Sequence, residues 1–179
     1  MLRSAPPDLN SWIHADLTIA ASAIHGHGVF TVGPIPAGHA VIRFGGHLFP
    51  LSARYDVDAV QPGSAVGVAE FVLLGGHPMV GKDLSDYLNH SCSPNLGMTD
   101  AVNLVTLCDI ATGEELTVDY AYWEADPGYV MKNACDCESA RCRRRVTGQD
   151  WRLFERHPHL VQWSAPFIRR RIHGLMGSS

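Results

Sequence analysis

The sequence contains no run of about 20 apolar residues, the length that a helix needs to cross a bilayer. Residues 1–10 carry two prolines and an acid, so they do not resemble the apolar stretch of a secretory signal peptide. We therefore expect no membrane span and a reducing compartment, the cytoplasm or alternatively the nucleus.

Charged side chains are also scarce. They make up 18% of the residues, and the formal net charge is −4. A protein whose main task is to bind phosphate backbones carries an excess of basic side chains, so we expect no nucleic-acid partner. The arginine triplets at residues 143–145 and 169–171 fit solvated surface near helix ends better than a site for nucleic acid or an acidic partner.

Apolar residues, by contrast, make up 46% of the 179 residues, enough for the core of one domain. Turns are frequent, since 17 glycines and 11 prolines separate short apolar segments. This pattern predicts a mainly β fold, with strands at residues 13–19, 29–32, 40–44, 69–74, 103–108 and 115–122. Residues 56–67 are predicted to form a loop. Short C-terminal helices are expected at 150–156 and 166–173, the second capped by Ser164.

Three of the five cysteines, Cys135, Cys137 and Cys142, fall within eight residues. Three thiolates from one tight loop are typical of a tetrahedral zinc site, which needs a fourth ligand from elsewhere. The candidates are Cys92, Cys108 and a histidine. Cys92 is favoured because it lies in a polar loop, whereas Cys108 ends an apolar run where a buried free thiol is the ordinary interpretation. Nothing nearby suggests a catalytic metal, so one structural zinc ion is expected.

Four segments in order carry a family resemblance. Residues 89–95 read Asn-His-Ser-Cys-Ser-Pro-Asn, which resembles the signature of SET-domain protein lysine methyltransferases. Residues 26–30, Gly-His-Gly-Val-Phe, and 113–120, Gly-Glu-Glu-Leu-Thr-Val-Asp-Tyr, are similar to two further motifs of that family. The cysteine trio is similar to its post-SET zinc loop, whose fourth ligand comes from the first segment and corresponds to Cys92.

The resemblance implies a fold of short strands in several small sheets with a knot-like C-terminal threading. It divides the chain into an N-terminal extension (1–13), a SET domain (14–122), a post-SET zinc loop (123–147) and a C-terminal helical segment (148–179). The cysteine-rich module that precedes the SET domain in many histone-directed members is not seen before Cys92.

The resemblance also implies an activity, transfer of a methyl group from S-adenosylmethionine to a lysine of a protein substrate. The implied active-site residue is Tyr120, whose hydroxyl would orient the acceptor amine. The implied cofactor-binding residues are Gly26, His27, Gly28, Tyr87, Asn89 and His90. Glycines at 26 and 28 would let the backbone approach the cofactor without an intervening Cβ. The family often has Arg-Phe where this chain has Asp86-Tyr87.

Each motif also has a plainer interpretation. The glycine pair by itself is typical of a tight turn, and Tyr120 and Tyr122 could form the aromatic face of one strand. Two other functions compete with protein lysine methylation. One is a related enzyme that acts on a small molecule or another nucleophile. The other is a catalytically silent module that binds a partner through its zinc-stabilised surface.

Overall fold

The computed structural model describes residues 10–76 and 81–177, and eleven strands lie within these ranges. In chain order they are β1 (Trp12–Ile13), β2 (Leu17–Ala21), β3 (His27–Thr31), β4 (Ala40–Arg43), β5 (His47–Pro50), β6 (Val66–Ala69), β7 (Val72–Gly75), β8 (Asn89–His90), β9 (Leu96–Met98), β10 (Asn103–Thr106) and β11 (Glu115–Val118). The predicted mainly β fold of short strands is confirmed. The knot-like threading and the domain boundaries stay predictions.

The larger sheet supplies the frame of the site. Its strand order is β1-β4-β10-β9-β11-β3-β2, and β8 lies beside β11 off this path. The central strand β11 pairs antiparallel with β3 and parallel with both β8 and β9. Its last three residues are buried, as expected for a strand covered on both faces. Strands β3, β8 and β11 therefore bring the segments around residues 26–30, 89–95 and 113–120 together.

The remaining strands form a second sheet in the order β5-β7-β6. The α-helices are α1 (Arg54–Val60), α2 (Pro158–Val161) and α3 (Pro166–Met176). Short 3-10 helices occupy Leu51–Ala53, Leu84–Tyr87, Tyr120–Tyr122 and Asp150–Arg156. Among the described residues, no helix is both long and apolar enough to cross a membrane.

Several local predictions were wrong. The expected strand 13–19 divides into β1 and β2, and α1 occupies part of the expected loop 56–67. The expected strand 115–122 ends at Val118, because the Asp119 side chain accepts the backbone N–H of Ala121 at 3.0 Å and caps a 3-10 helix. Ser164 does not cap α3. The N-cap residue is Ala165, and the buried Ser164 hydroxyl has no hydrogen-bond partner within the described ranges.

The C-terminal helices are part of the core of the domain. Trp151 is buried, and α3 buries Phe167, Ile168 and Ile172 against the sheets. The Arg171 guanidinium lies 5.5 Å from the centre of the Trp151 ring and 2.6 Å from a carboxylate oxygen of Glu70. Helix α3 thereby packs against β6 of the second sheet.

A pair of glycine substitutions tests this packing. An alanine at Gly148 would place its Cβ against the backbone carbonyl of Asp126, so Gly148→Ala should lower the free energy of unfolding by about 1–3 kcal/mol. At Gly174, inside α3, a Cβ would meet nothing within 4 Å. Gly174→Ala should therefore raise the free energy of unfolding by about 0.5–1 kcal/mol. Urea unfolding of both variants measures this difference, and equal effects would contradict the packing.

Candidate functional site

A cavity of about 580 Å³ opens beside the ends of β8 and β11. Its wall includes Asn89 and His90 from β8 and Tyr120 just after β11. Residues 130–136, from the predicted zinc loop, close another side. His25, in the turn before β3, contacts Asn133 of that loop with 2.6 Å between His25 Nε2 and Asn133 Nδ2. The cavity therefore lies between the central sheet and the cysteine-rich loop.

Tyr120 has a fixed position in this wall. Its hydroxyl donates a hydrogen bond to the backbone carbonyl of Leu88 at 2.7 Å. Its ring lies 5.6 Å from Trp123, which in turn packs edge-to-face on Phe44 at 5.6 Å. Burial raises the pKa of Tyr120 above its ordinary value, so the phenol stays protonated at neutral pH. With its proton directed to Leu88, the oxygen lone pairs can accept a hydrogen bond from another group.

His90 is buried between Tyr120 and the cysteines. Its Nδ1 accepts the backbone N–H of Tyr120 at 3.2 Å, and its Nε2 lies 3.2 Å from Cys92 Sγ and 3.3 Å from the Arg143 guanidinium. Burial, with the nearby charge of Arg143, lowers the pKa of His90 to about 3. A neutral imidazole whose acceptor nitrogen is already used is poorly suited to act as a general base.

Asn89 contacts the glycine turn. Its side-chain nitrogen lies 3.1 Å from the carbonyl oxygen of His27 and 3.2 Å from that of His25. Gly26 has φ +50°, a conformation that favours glycine, and a Cβ there would meet nothing within 4 Å. A Cβ at Gly28 would overlap the carboxylate of Glu115. A glycine is therefore needed at position 28 because a side chain there would collide with Glu115. The predicted reason was different, namely close approach of the backbone to the cofactor.

The other two predicted cofactor residues lie beside the cavity and do not form its wall. The His27 and Tyr87 rings meet edge-to-face at 6.3 Å, and the Lys82 ammonium lies 5.7 Å from the centre of the Tyr87 ring. Gly26 and Gly28 are also absent from the lining residues, whereas Ile24, His25, Asn89, His90 and Tyr120 are among them. The structure therefore brings part of the predicted cofactor set into one wall.

The sulfur atoms of four cysteines converge at one point. Those of Cys92, Cys135, Cys137 and Cys142 all lie within 4.8 Å of one another. A tetrahedral zinc with Zn–S bonds of about 2.3 Å separates its sulfur atoms by about 3.8 Å, so this set fits the ion. Cys108 lies outside the cluster and is exposed, not buried as expected.

Two backbone N–H groups donate hydrogen bonds to sulfur atoms of this cluster. The backbone N–H of Cys92 donates to Cys137 Sγ at 3.4 Å, and that of Arg143 donates to Cys92 Sγ at 3.3 Å. The Arg143 side chain extends from the same loop to Asp119, with 2.6 Å between its NH2 nitrogen and the carboxylate. Because Asp119 also caps the 3-10 helix of Tyr120, the cysteine loop and the cavity wall are directly connected.

Sequence reasoning missed several residues of this site. Trp123 and residues 130–134 carry no recognisable motif, yet they line the cavity. Glu115 belongs to a recognised motif, but its contacts with Ser22 and Asn89 join segments that are distant in sequence. The one signal for Glu115 is that its carboxylate fills the space of a Cβ at residue 28, and this is seen only in the folded chain.

The comparisons with known proteins agree with this geometry. The SET domain family model matches residues 26–121, more than half of the chain. Histone-lysine N-methyltransferase 2B of Homo sapiens is 32% identical over 135 residues, which cover 69% of this chain and 5% of the human protein. Histone-lysine N-methyltransferase trithorax of Drosophila virilis is 30% identical over 134 residues, covering 69% of this chain and 3% of the relative.

A fungal histone-lysine N-methyltransferase is similar to the chain as well. The H3 lysine-4 specific histone-lysine N-methyltransferase of Eremothecium gossypii is 26% identical over 140 residues, 71% of this chain and 14% of its own length. The chain thus spans a small fraction of the length of the relatives it matches. From the match over residues 26–121, which is more than half of its length, the chain belongs to the SET domain family.

Proposed function

We propose that this chain transfers a methyl group from S-adenosylmethionine to the side-chain amine of a lysine in a protein substrate. One observation carries the proposal most directly. Asn89, His90 and Tyr120, which the family resemblance assigns to cofactor and acceptor, share the wall of a single cavity. The compared relatives are named histone-lysine N-methyltransferases.

The cavity suits the cofactor in size and chemistry. Its volume of about 580 Å³ falls in the range typical of small-molecule sites. Both amide hydrogens of Asn89 are directed to acceptors of the protein, which leaves its Oδ1 available to accept from an ammonium group. We assign binding of the cofactor to this oxygen, to His90 and to the turn at 24–28, with Tyr87 supporting the turn through His27. When bound, S-adenosylmethionine supplies an electrophilic methyl group on a sulfonium centre.

Tyr120 is the residue that we assign to the acceptor. Its oxygen can accept a hydrogen bond from the lysine nitrogen, because its own proton is donated to Leu88. The aromatic faces of Trp123 and Phe44 beside it favour a cationic or partly cationic group. Tyr120 would therefore act by orienting the amine and stabilising the charge that develops during transfer.

The acceptor must lose a proton before it reacts, and removing it from a lysine with a pKa near 10.4 costs about 4–5 kcal/mol at pH 7. Two titratable groups beside Tyr120 are not free to accept this proton. His90 is neutral with its acceptor nitrogen occupied, and the Glu124 carboxylate lies 2.8 Å from the Arg54 guanidinium in a buried ion pair. Desolvation and the positive charge of the bound cofactor would lower the amine pKa, and the proton would leave to solvent.

The four clustered cysteines are proposed to bind one structural zinc ion, since their sulfur atoms fit its tetrahedral geometry. Cysteines that bind zinc and form no disulfide agree with a reducing compartment, and we propose the nucleus or the cytoplasm. Histones are the first acceptors to test, because the relatives carry that substrate in their names.

The experiment combines binding and transfer. Calorimetry of S-adenosylmethionine into zinc-loaded protein is expected to show one site per chain. Protein incubated with labelled S-adenosylmethionine and either purified histones or a cell lysate should then deposit the label on protein lysines, identified by mass spectrometry.

The outcomes separate the competing functions. Binding with label only in the small-molecule fraction would favour an enzyme that acts on a small molecule. Label on another side chain would identify another nucleophile. If the zinc-loaded protein binds no S-adenosylmethionine, both enzyme hypotheses are ruled out and the catalytically silent partner-binding module is left.

A further inference from the structure

The polar contacts behind the cofactor turn centre on Glu115, a residue of β11 that does not line the cavity. The Ser22 hydroxyl, at the end of β2, lies 2.9 and 2.8 Å from the two carboxylate oxygens of Glu115. The Asn89 amide nitrogen donates to Glu115 Oε1 at 2.8 Å. One carboxylate therefore joins β2, β8 and β11 directly beneath the turn at residues 24–28.

We infer that Glu115 is a positioning residue for cofactor binding, acting through Asn89 and Ser22. This inference rests on the proposed function and names a residue that supports the same site. A carboxylate has only acceptor atoms, so it can receive the Asn89 amide and the Ser22 hydroxyl together. Hydrogen bonds to an ionised acceptor are stronger than neutral ones, which makes the arrangement well defined.

The first consequence is the orientation of the Asn89 amide. Its nitrogen is held by Glu115 Oε1 at 2.8 Å and by the carbonyl oxygens of His27 and His25 at 3.1 and 3.2 Å. An amide rotated by 180° would place its oxygen against these acceptors, which is unfavourable. Glu115, as the nearest of the acceptors around this nitrogen, thus helps to hold it inside the protein and to keep Oδ1 available for the cofactor.

The second consequence is the shape of the turn. Because the Ser22 proton is committed to Glu115, its oxygen can accept the backbone N–H groups of Ile24 at 3.0 Å and His25 at 3.3 Å. Ile24 and His25 both line the cavity. The Glu115 carboxylate also occupies the space where a Cβ of residue 28 would lie, which explains the glycine at that position.

The neighbouring Glu114 provides a matched control. It is half-buried like Glu115, but its carboxylate accepts from Asn95 at 3.1 Å and from the backbone of Ala111 at 3.0 Å, outside the cofactor turn. Both glutamates can be changed to glutamine without loss of side-chain volume. In Glu115→Gln, one acceptor oxygen becomes an NH₂ donor that faces the donors of Ser22 or Asn89.

The test compares Glu115→Gln, Glu115→Ala and Glu114→Gln by calorimetry with S-adenosylmethionine, by thermal unfolding and by steady-state kinetics. Loss of a charge-assisted hydrogen bond predicts a dissociation constant raised about tenfold or more in both Glu115 variants. KM for the protein substrate should stay within about twofold. Glu114→Gln should bind the cofactor like the wild type.

A double substitution tests the steric contact between residue 28 and the Glu115 carboxylate. Gly28→Ala alone should weaken cofactor binding about tenfold or more, because the new Cβ displaces the Glu115 carboxylate. In a Glu115→Ala background the same change should cost clearly less, since the obstructing group is gone.

The outcomes keep this inference separate from the proposed function. Wild-type protein that binds no S-adenosylmethionine refutes the proposed function and the inference with it. Wild-type protein that binds, together with Glu115 variants of unchanged affinity, overturns the inference alone. Affinity losses that are equal in Glu114→Gln and Glu115→Gln, or fully additive in the double variant, overturn it as well.

Discussion

Tyr120→Phe is expected to lower the turnover of methyl transfer by roughly 10²–10³-fold while the fold is retained. The variant removes the oxygen that we assign to the acceptor amine and leaves the ring, with its 5.6 Å contact to Trp123, in place. It also removes the 2.7 Å hydrogen bond to Leu88, which should lower the free energy of unfolding by about 1 kcal/mol. S-adenosylmethionine affinity should change little. Labelled-methyl transfer, calorimetry and urea unfolding measure the three quantities.

The chain supplies a matched control two residues away. Tyr122 is fully buried, and its hydroxyl has no hydrogen-bond partner among the described residues. Tyr122→Phe removes an unsatisfied polar group, so its stability should equal or exceed that of the wild type, with unchanged turnover. Full activity in Tyr120→Phe would show that this residue is not the catalytic tyrosine. Equal losses in both variants would indicate a general effect on the 3-10 helix that carries them.

The sequence predicts those features of this protein that depend on local order along the chain. The cysteine trio and the segment around Cys92 are short motifs, and their four sulfur atoms do come within 4.8 Å of one another. Short apolar segments between glycines and prolines likewise predict the mainly β fold, because strand periodicity is a local property.

Apart from the meeting of Cys92 with the cysteine trio, features that depend on distant contacts could not be predicted. Residues 56–67 read as a loop, yet α1 forms there, where buried Arg54 is paired at 2.8 Å with Glu124, 70 residues away. Tyr120 follows an apparent strand, but the Asp119 cap turns the chain and directs the tyrosine into the cavity wall. The packing role of Gly28 depends on Glu115, and no sequence pattern records that proximity.

Removing the cysteine site is expected to disturb both folding and cofactor binding. Structural zinc sites contribute on the order of 10 kcal/mol to folding, and Cys142→Ser removes one of four proposed ligands. We expect zinc content to fall from one ion per chain to well below one, with a large decrease in melting temperature. Elemental analysis of protein purified without chelator and thermal unfolding measure these changes. Wild-type protein without zinc would contradict the site.

Cofactor binding should be lost with the metal, because the cysteine loop is part of the cavity. Residues 130–136 form one of its sides, and Cys92 Sγ lies 3.2 Å from the His90 ring that holds the backbone of Tyr120. Calorimetry should therefore show S-adenosylmethionine affinity lowered at least tenfold in Cys142→Ser. Cys108→Ser is the control, since that exposed thiol lies outside the cluster and its loss should change neither zinc content nor affinity. Normal affinity in a zinc-free Cys142→Ser protein would mean that the loop keeps its place without the metal, and that the zinc serves stability alone.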